Sequence, residues 1–219
     1  MVDQRAEIPL RVLGVDPGTL RTGWGVVERR GQTLAFCAGG VISPKGFRSL
    51  PERLRVIHAG VVEVIDRWAP HVLSIEKAFV AYNVQSAFRL GEARGVVLLA
   101  AAQAGLRITD YNPTEIKTAV VGYGRADKQQ VQEAVGALLG RRGSRETLLP
   151  TSQDATDALA AALCHFNSSR LAERIQAASS MHRGSSENDQ ERVQLLRNAF
   201  LKRALPRTLG MQRKTGRSS

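Results

Sequence analysis

Arg11-Val12-Leu13-Gly14-Val15-Asp16-Pro17-Gly18 combines a β-rich apolar run with an acid at its end and a turn directly after the acid. Side chains alternate along a strand, so Gly14 and Asp16 share one face while Leu13 and Val15 share the other. A carboxylate at the end of a buried strand costs free energy unless it is paired or bound to a cation. Two interpretations of Asp16 stay open, a functional acid and a residue that opens an Asx-type turn.

The sequence that follows predicts an α/β fold. Five strands are expected at residues 11–15, 22–27, 33–42, 72–75 and 106–111. Helices are expected at residues 50–68, 85–104, 113–121, 127–139 and 152–172. The first three strands form a simple antiparallel meander, and the later ones alternate with helices. We therefore predict a mixed five-stranded sheet flanked by helices on both faces.

The charge of the chain is unevenly distributed. The net charge is +11, which makes a polyanion such as nucleic acid a plausible partner. Residues 168–219 contribute 11 basic and 4 acidic side chains to this balance. We predict one folded domain over residues 1–172 and a basic, largely disordered tail over residues 173–219, beginning clearly near residue 178, with a short amphipathic helix as one option near residues 190–205.

Several classes of protein are disfavoured. No apolar run approaches the ~20 residues of a membrane span, and the N-terminal residues contain no apolar signal core, so a cytoplasmic location with no membrane partner is expected. Cys37 and Cys164 are far apart and lack a Cys-x-x-Cys spacing, which argues against a zinc site and a disulfide framework. The four histidines are scattered, so a histidine-built metal site is not expected.

Three further acids are, like Asp16, candidates for a functional site. Glu76 follows the apolar run at residues 72–75, and if the two strands are parallel neighbours, the two acids lie ~5 Å apart. Asp154 and Asp157 are three residues apart at the start of the last helix, which places both on one face. Asp154 could also be part of a capping box, but this leaves Asp157 unexplained.

Four convergent carboxylates repel one another strongly unless divalent cations compensate their charge. Oxygen ligands without histidine or cysteine suit Mg²⁺, with Mn²⁺ able to substitute. Two Mg²⁺ ions about 3.5–4 Å apart would stabilise both the attacking water and the leaving oxygen of a phosphodiester. The acids thus predict metal-dependent hydrolysis of a phosphodiester bond.

Five blocks of sequence, in this order along the chain, resemble the RuvC family of Holliday junction resolvases. They are Leu13-Gly14-Val15-Asp16-Pro17-Gly18, Ile75-Glu76-Lys77-Ala78-Phe79, Leu90-Gly91-Glu92-Ala93-Arg94-Gly95, Val120-Val121-Gly122-Tyr123-Gly124 and Asp154-Ala155-Thr156-Asp157-Ala158-Leu159-Ala160. The resemblance covers residues 11–166. It implies an RNase H-like fold and an Mg²⁺-dependent crossover junction endodeoxyribonuclease that nicks two strands of like polarity in a four-way DNA junction during recombination and repair.

The resemblance also assigns residues to roles. Asp16, Glu76, Asp154 and Asp157 match the family's catalytic, metal-binding acids. Phe79 matches an aromatic that stacks on a base where the junction opens, a contact worth ~1–3 kcal/mol per base, although a core phenylalanine is the simpler alternative. Lys117 and Lys128 match basic positions near the scissile phosphate.

The same resemblance implies partners. The small-residue-rich helix at residues 85–104 is similar to the family's dimer-forming element, so a homodimer is expected. The RuvA and RuvB branch-migration proteins are implied as partners by the family alone. The tail departs from the family pattern, and both a non-functional extension and an auxiliary contact with DNA or a partner stay open for it.

Three other functions are compatible with parts of this sequence. Asp16-Pro17-Gly18-Thr19 also resembles the phosphate-binding hairpin of sugar kinases and actin-like ATPases, but the chain has no room for their second lobe. A junction-binding protein without catalysis is disfavoured because all four acids are present. An RNase H-like nuclease acting on RNA is not excluded by the acids of the sheet, although Phe79 and the Asp154/Asp157 pair favour the junction enzyme.

Overall fold

The computed structural model describes residues 9–77, 84–140 and 149–181. Its strands are β1 (Leu10–Asp16), β2 (Thr22–Arg30), β3 (Thr33–Ile42), β4 (Val72–Glu76) and β5 (Arg107–Tyr111). Its helices are α1 (Leu50–Trp68), α2 (Val84–Gln103), α3 (Pro113–Val121), α4 (Lys128–Leu139) and α5 (Gln153–Met181). The types and the order of these elements agree with the prediction from sequence.

The strands form one mixed sheet in the order β3-β2-β1-β4-β5. The pairs β1/β2 and β2/β3 are antiparallel, which confirms the predicted meander. The pairs β1/β4 and β4/β5 are parallel. β1 therefore lies at the centre of the sheet, beside β4, and the carboxyl ends of these two strands meet at one edge.

Each face of the sheet is covered by a separate hydrophobic core. On one face, Leu13 and Val15 of β1 pack in a cluster with residues of α1 and α2, including Ile57 and Val97. On the other face, Val12 belongs to a cluster formed with residues of α3, α4 and α5. Alternation along β1 thus sends neighbouring side chains into different cores, which confirms the prediction of helices on both faces.

Glycines allow α5 to lie unusually close to the sheet. Gly14 of β1 and Gly25 of β2 are register partners, and both face α5. A Cβ atom on Gly14 would lie 1.9 Å from the carbonyl oxygen of Ala158, and one on Gly25 would lie 2.5 Å from a methyl carbon of Leu159. The hydroxyl of Ser74 donates a 2.6 Å hydrogen bond to the carbonyl oxygen of Ala161. The start of α5 is therefore held directly against the central strands.

The end of the last helix was predicted wrongly. α5 continues to Met181, beyond the predicted end at Ala172, so the expected disorder is wrong for residues 173–181. The segment contains Leu171, Ala172, Glu173, Arg174 and Gln176, which are good helix formers, and a helix that has begun is extended at little cost per residue. The predicted helix near residues 190–205 lies outside the described residues.

The contacts within the chain divide it into two units, Met1–Leu171 and Ala172–Ser219. The first unit contains the sheet and both cores. The second is described over residues 172–181, the last part of α5. Among the described helices, none has the length and apolar character needed to cross a membrane. Cys164 is buried, Cys37 is partly buried, and both are free thiols.

Candidate active site

Asp16 and Glu76 are the last residues of neighbouring parallel strands. Val15 of β1 pairs with Ile75 of β4, so each acid directly follows the last pair of the ladder. Neighbouring strands lie about 4.8 Å apart, which places the two acids side by side as predicted. Because side chains alternate, both acids lie on the α5 side of the sheet, the side on which Ser74 contacts α5.

Asp154 and Asp157 reach the same edge from the first turns of α5. A Cβ atom on Gly23, the register partner of Asp16, would lie 1.9 Å from the carbonyl oxygen of Asp154. The backbone of α5 therefore touches β2 beside the end of β1. The i, i+3 spacing keeps the two carboxylates of α5 on one helical face. The fold brings together all four acids that the sequence singled out.

The electrostatics of Asp16 reflect this crowding. Burial is the main cause that raises the pKa of Asp16 to about 7. Repulsion by the carboxylates of Asp157, Glu76 and Asp154 raises this pKa further, in that order of size. The positive charge of Lys128 lowers it. Asp16 thus lies within a cluster of carboxylates that act on its pKa together.

Two of the other acids show the same pattern. Burial raises the pKa of Glu76, and repulsion by Asp157 adds to this effect. Burial also raises the pKa of Asp157, against a hydrogen bond from Gln153 that lowers it. Mutual repulsion therefore connects acids from β1, β4 and α5 into one electrostatic unit.

Both lysines that the sequence singled out act on this unit. Lys117 of α3 lowers the pKa of Glu76 and of Asp157. Lys128 lowers the pKa of Asp16 and of Asp157. Lys128 is the first residue of α4, and its place is fixed by the N-cap residue Asp127, whose Oδ1 accepts a 2.9 Å hydrogen bond from the backbone of Gln130. The lysines thus border the acidic cluster, while Phe79 lies outside the described residues.

The structure adds residues that the sequence reasoning missed. Nε of Arg21 lies 2.6 Å from Oδ2 of Asp154, in an ion pair between residues 133 positions apart in the chain. Nε2 of Gln153 donates a 2.9 Å hydrogen bond to Oδ1 of Asp157. The capping-box interpretation of Asp154 is not supported, because α5 begins at Gln153 and the carboxylate of Asp154 pairs with Arg21. The Gln153–Asp157 pair has the i, i+4 spacing of helical neighbours, which the sequence could have indicated, whereas no local pattern indicates the Arg21–Asp154 pair.

A second arginine, Arg94, contacts the backbone of Glu76. Arg94 of α2 forms an ion pair with Asp110 of β5, and its Nε donates a 3.4 Å hydrogen bond to the backbone carbonyl of Glu76. Arg94 lies in the Leu90–Gly95 sequence block, and the sequence alone assigns no role to it. It connects α2 to the strand end that carries a site acid.

A mixed sheet with convergent acids at the ends of its central parallel strands, completed by acids from a helix on one face, defines an RNase H-like nuclease. A family model described as "Crossover junction endodeoxyribonuclease RuvC" matches residues 12–165. This chain belongs to that RuvC family.

Individual relatives agree with the family match. The crossover junction endodeoxyribonuclease RuvC of Magnetococcus marinus is 46% identical over 159 residues, which cover 73% of this chain and 85% of the relative. The same-named protein of Cupriavidus metallidurans is 46% identical over 158 residues, covering 72% and 84%. A solved structure of T. thermophilus RuvC in complex with a Holliday junction substrate is 34% identical, with a TM-score of 0.67, covering 74% of this chain and 96% of that one.

Membership of this family implies the use of a divalent metal ion, and the donor set at the site fits one. All four candidate ligands are carboxylates, the donors that hard divalent cations prefer. Burial raises the pKa of Asp16, and the neighbouring carboxylates raise it further, so a cation would stabilise the charged form of this acid. Within residues 9–77, 84–140 and 149–181, no three His, Cys, Asp or Glu side chains are close enough together to hold an ion. The carboxylates therefore converge on one edge without closing into a finished ligand shell.

Proposed function

We propose that this protein is a divalent-metal-dependent endonuclease that resolves four-way Holliday junctions by nicking two strands of like polarity symmetrically, in homologous recombination and DNA repair. The observation that carries this proposal is the convergence of Asp16, Glu76, Asp154 and Asp157 on one edge of the sheet in a chain of the RuvC family. Crowded carboxylates at the carboxyl ends of parallel strands are costly for stability, which favours a functional explanation for all four.

The proposed cofactor is Mg²⁺, two ions per site, with Mn²⁺ able to substitute. Asp16, Glu76, Asp154 and Asp157 would hold it. When bound, such ions polarise a phosphodiester and stabilise the attacking and leaving oxygens of an in-line displacement. The acids hold a concentrated negative charge at a fixed edge, and Gln153 orients Asp157 through its hydrogen bond.

The basic residues are proposed to place the DNA. Lys117 and Lys128 border the acids closely enough to influence their pKa values, so a phosphate held by either lysine would lie beside the carboxylates. Phe79 follows Glu76 by three residues, and we retain the prediction that it stacks on a base at the branch point.

A homodimer is proposed through α2. The inner face of this helix is buried with Ala93, Val97 and Ala101. Its outer face carries Phe88 and Leu99, which are 70% and 52% exposed, and the exposed Gly95 between them. An exposed apolar face with a small residue at its centre suits close packing against a second copy of the helix. Two copies would present two active sites to the two strands that are cut.

We also propose partnership with the RuvA and RuvB branch-migration proteins, which the family implies. A cytoplasmic location is proposed from the sequence, which has no apolar signal core at its N-terminal residues. The composition of the chain supports the proposed domain limits, with residues 1–172 as the nuclease domain and residues 173–219 as a basic extension.

The proposal is tested by incubating the purified protein with a synthetic four-way junction in Mg²⁺, with each strand labelled in turn. A linear duplex and an RNA–DNA hybrid serve as control substrates. Asp157→Asn tests the site, and Asp66→Asn, an exposed acid on α1, is the matched control. Paired nicks confined to the junction, lost in Asp157→Asn alone, are the expected result. Junction binding without cleavage would contradict the proposal that the protein is an enzyme. Preferential cleavage of the RNA–DNA hybrid would contradict the proposal that four-way DNA junctions are its substrate.

A further inference from the structure

The four acids differ in how their charge is compensated. Asp154 forms a short ion pair with Arg21. Among the residues that the structure describes, no ion pair reaches the carboxylates of Asp16, Glu76 or Asp157. Arg21 therefore neutralises one selected acid of the site and leaves the others to be compensated by something else.

The ion pair is built by the backbone around it. Arg21 ends the turn between β1 and β2, and the buried hydroxyl of Thr22 holds this turn by donating a 2.8 Å hydrogen bond to the carbonyl of Gly18. The next residue, Gly23, brings the backbone of β2 against that of Asp154. A fixed turn and a close strand-to-helix contact thus place the guanidinium beside this carboxylate.

The position of the pair permits exchange. The side chain of Arg21 is 50% exposed and that of Asp154 is 29% exposed, so the guanidinium can move into solvent without disturbing either core. Nε of Arg21 contacts Oδ2 of Asp154. A guanidinium and a divalent cation on one carboxylate repel each other, so the ion pair with Arg21 weakens Asp154 as a ligand for a metal ion.

We propose that Arg21 is a positioning residue that holds Asp154 before a divalent cation binds and competes with the cation for this carboxylate, so that Arg21 raises the cation concentration that the site requires. This inference rests on the proposed function, since it assumes that Asp154 is a metal ligand. Its consequence is an arginine that holds the carboxylate in place before the cation arrives and then competes with the cation for it.

The test measures metal binding without DNA and without cleavage. Mn²⁺ is titrated into the full-length protein, and free Mn²⁺ is followed by its electron paramagnetic resonance signal. In the wild type, Mn²⁺ binding to Asp154 has to overcome a partly exposed ion pair. Because Arg21→Gln removes this pair, it should lower the dissociation constant for Mn²⁺ about two- to fivefold. Arg21→Lys, which keeps a cation at this place, should stay closer to the wild-type value. Thermal melting of each variant in chelator confirms that it is folded.

A double-mutant cycle separates the ion pair from a general charge effect. In an Asp154→Asn background, Arg21→Gln should leave the dissociation constant for Mn²⁺ unchanged, because the carboxylate for which both cations compete is gone. If Arg21→Gln lowered the dissociation constant equally in the Asp154→Asn background, the proposal would be overturned. The effect would then come from long-range repulsion between the arginine and Mn²⁺. An unchanged or weaker affinity in Arg21→Gln alone would overturn it directly. If the wild type bound no Mn²⁺ at all, the metal-dependent function itself would fail, which is a different result.

Discussion

A Cβ atom placed on Gly14 of β1 would lie 1.9 Å from the carbonyl oxygen of Ala158 in α5. The atom that blocks it belongs to the backbone of a helix packed in the core, so it cannot move aside as a flexible side chain would. Because α5 packs this closely on β1, its first turns lie beside the strand ends. This packing places Asp154 and Asp157 at the site. Packing at Gly14 and the geometry of the site are therefore linked.

We expect Gly14→Ala to destabilise the protein by more than about 3 kcal/mol and to abolish cleavage, because α5 must move away from the sheet. Gly136→Ala is the matched control, since nothing lies within 4 Å of a Cβ atom at that helical position. It should stabilise the protein by about 0.5–1 kcal/mol. Urea denaturation measures both, and a wild-type unfolding midpoint for Gly14→Ala would contradict the close contact.

Asp16 predicts a pH dependence of stability in the absence of metal. Its pKa is raised to about 7 in the folded protein, against about 3.9 in an unfolded chain. The folded state holds this proton more tightly, so the contribution of Asp16 is fully present below pH ~4 and is lost as the pH rises through about 7. Wild-type protein in chelator should therefore lose unfolding free energy relative to Asp16→Asn between pH 4 and pH 8, by on the order of 2 kcal/mol.

This comparison uses chemical denaturation of both proteins across that pH range. Asp66→Asn again controls for the loss of an exposed acid. Parallel stability profiles for wild type and Asp16→Asn would show that the carboxyl of Asp16 is not destabilised by its surroundings. Added Mg²⁺ should restore stability to the wild type more than to Asp16→Asn, because the cation compensates the crowded charge.

The outer face of α2 predicts where a dimer would be broken. Phe88→Glu places a charge in the proposed interface and should shift the protein from dimer to monomer in sedimentation velocity at micromolar concentration. Leu138→Glu is the control, because Leu138 is an exposed apolar residue on α4 at 44% exposure. Retention of the dimer by Phe88→Glu would exclude this face as the interface.

Lys128 is expected to hold DNA backbone phosphate. Lys128→Gln should weaken junction binding and reduce the slope of log affinity against log salt concentration by about 0.9, the amount for one lost phosphate contact. Lys45→Gln, an exposed lysine between β3 and α1, should leave the slope unchanged. Filter binding or fluorescence anisotropy across a salt series measures both. An unaltered slope for Lys128→Gln would contradict the prediction that this lysine contacts a DNA phosphate.

Arg94 predicts an effect on chemistry that is separate from DNA binding. Without it, the carbonyl of Glu76 and the carboxylate of Asp110 lose their shared partner, so the end of β4 is less firmly placed. Since small displacements of reacting groups are costly, Arg94→Gln should slow single-turnover cleavage about tenfold to a hundredfold while junction affinity stays near wild type. Arg89→Gln, an exposed arginine on the same helix, is the control. If Arg94→Gln and Arg89→Gln slowed cleavage equally, Arg94 would have no specific role in cleavage.

The sequence by itself determined the elements and the four acids. Helix α1 at Leu50–Trp68, β3 at Thr33–Ile42 and α3 at Pro113–Val121 have the bounds that hydrophobic periodicity and proline predicted, because these signals are local. The acids were visible because each interrupts an apolar run or repeats at helical spacing. The helical continuation of α5 to Met181 departs from the prediction, because the helix propensity of this segment outweighs its polar composition.

Only the tertiary structure decided which distant groups meet. Arg21 and Asp154 are 133 positions apart and Arg94 reaches the carbonyl of Glu76 from another helix, so no periodicity in the chain connects them. In the sequence Gly14 is an ordinary strand residue, and only the structure shows that α5 packs against it. A local pattern fixes the conformation of a segment, whereas the contacts of its side chains depend on how separate segments pack, and this packing distinguishes the acid that already has a cation partner from those that do not.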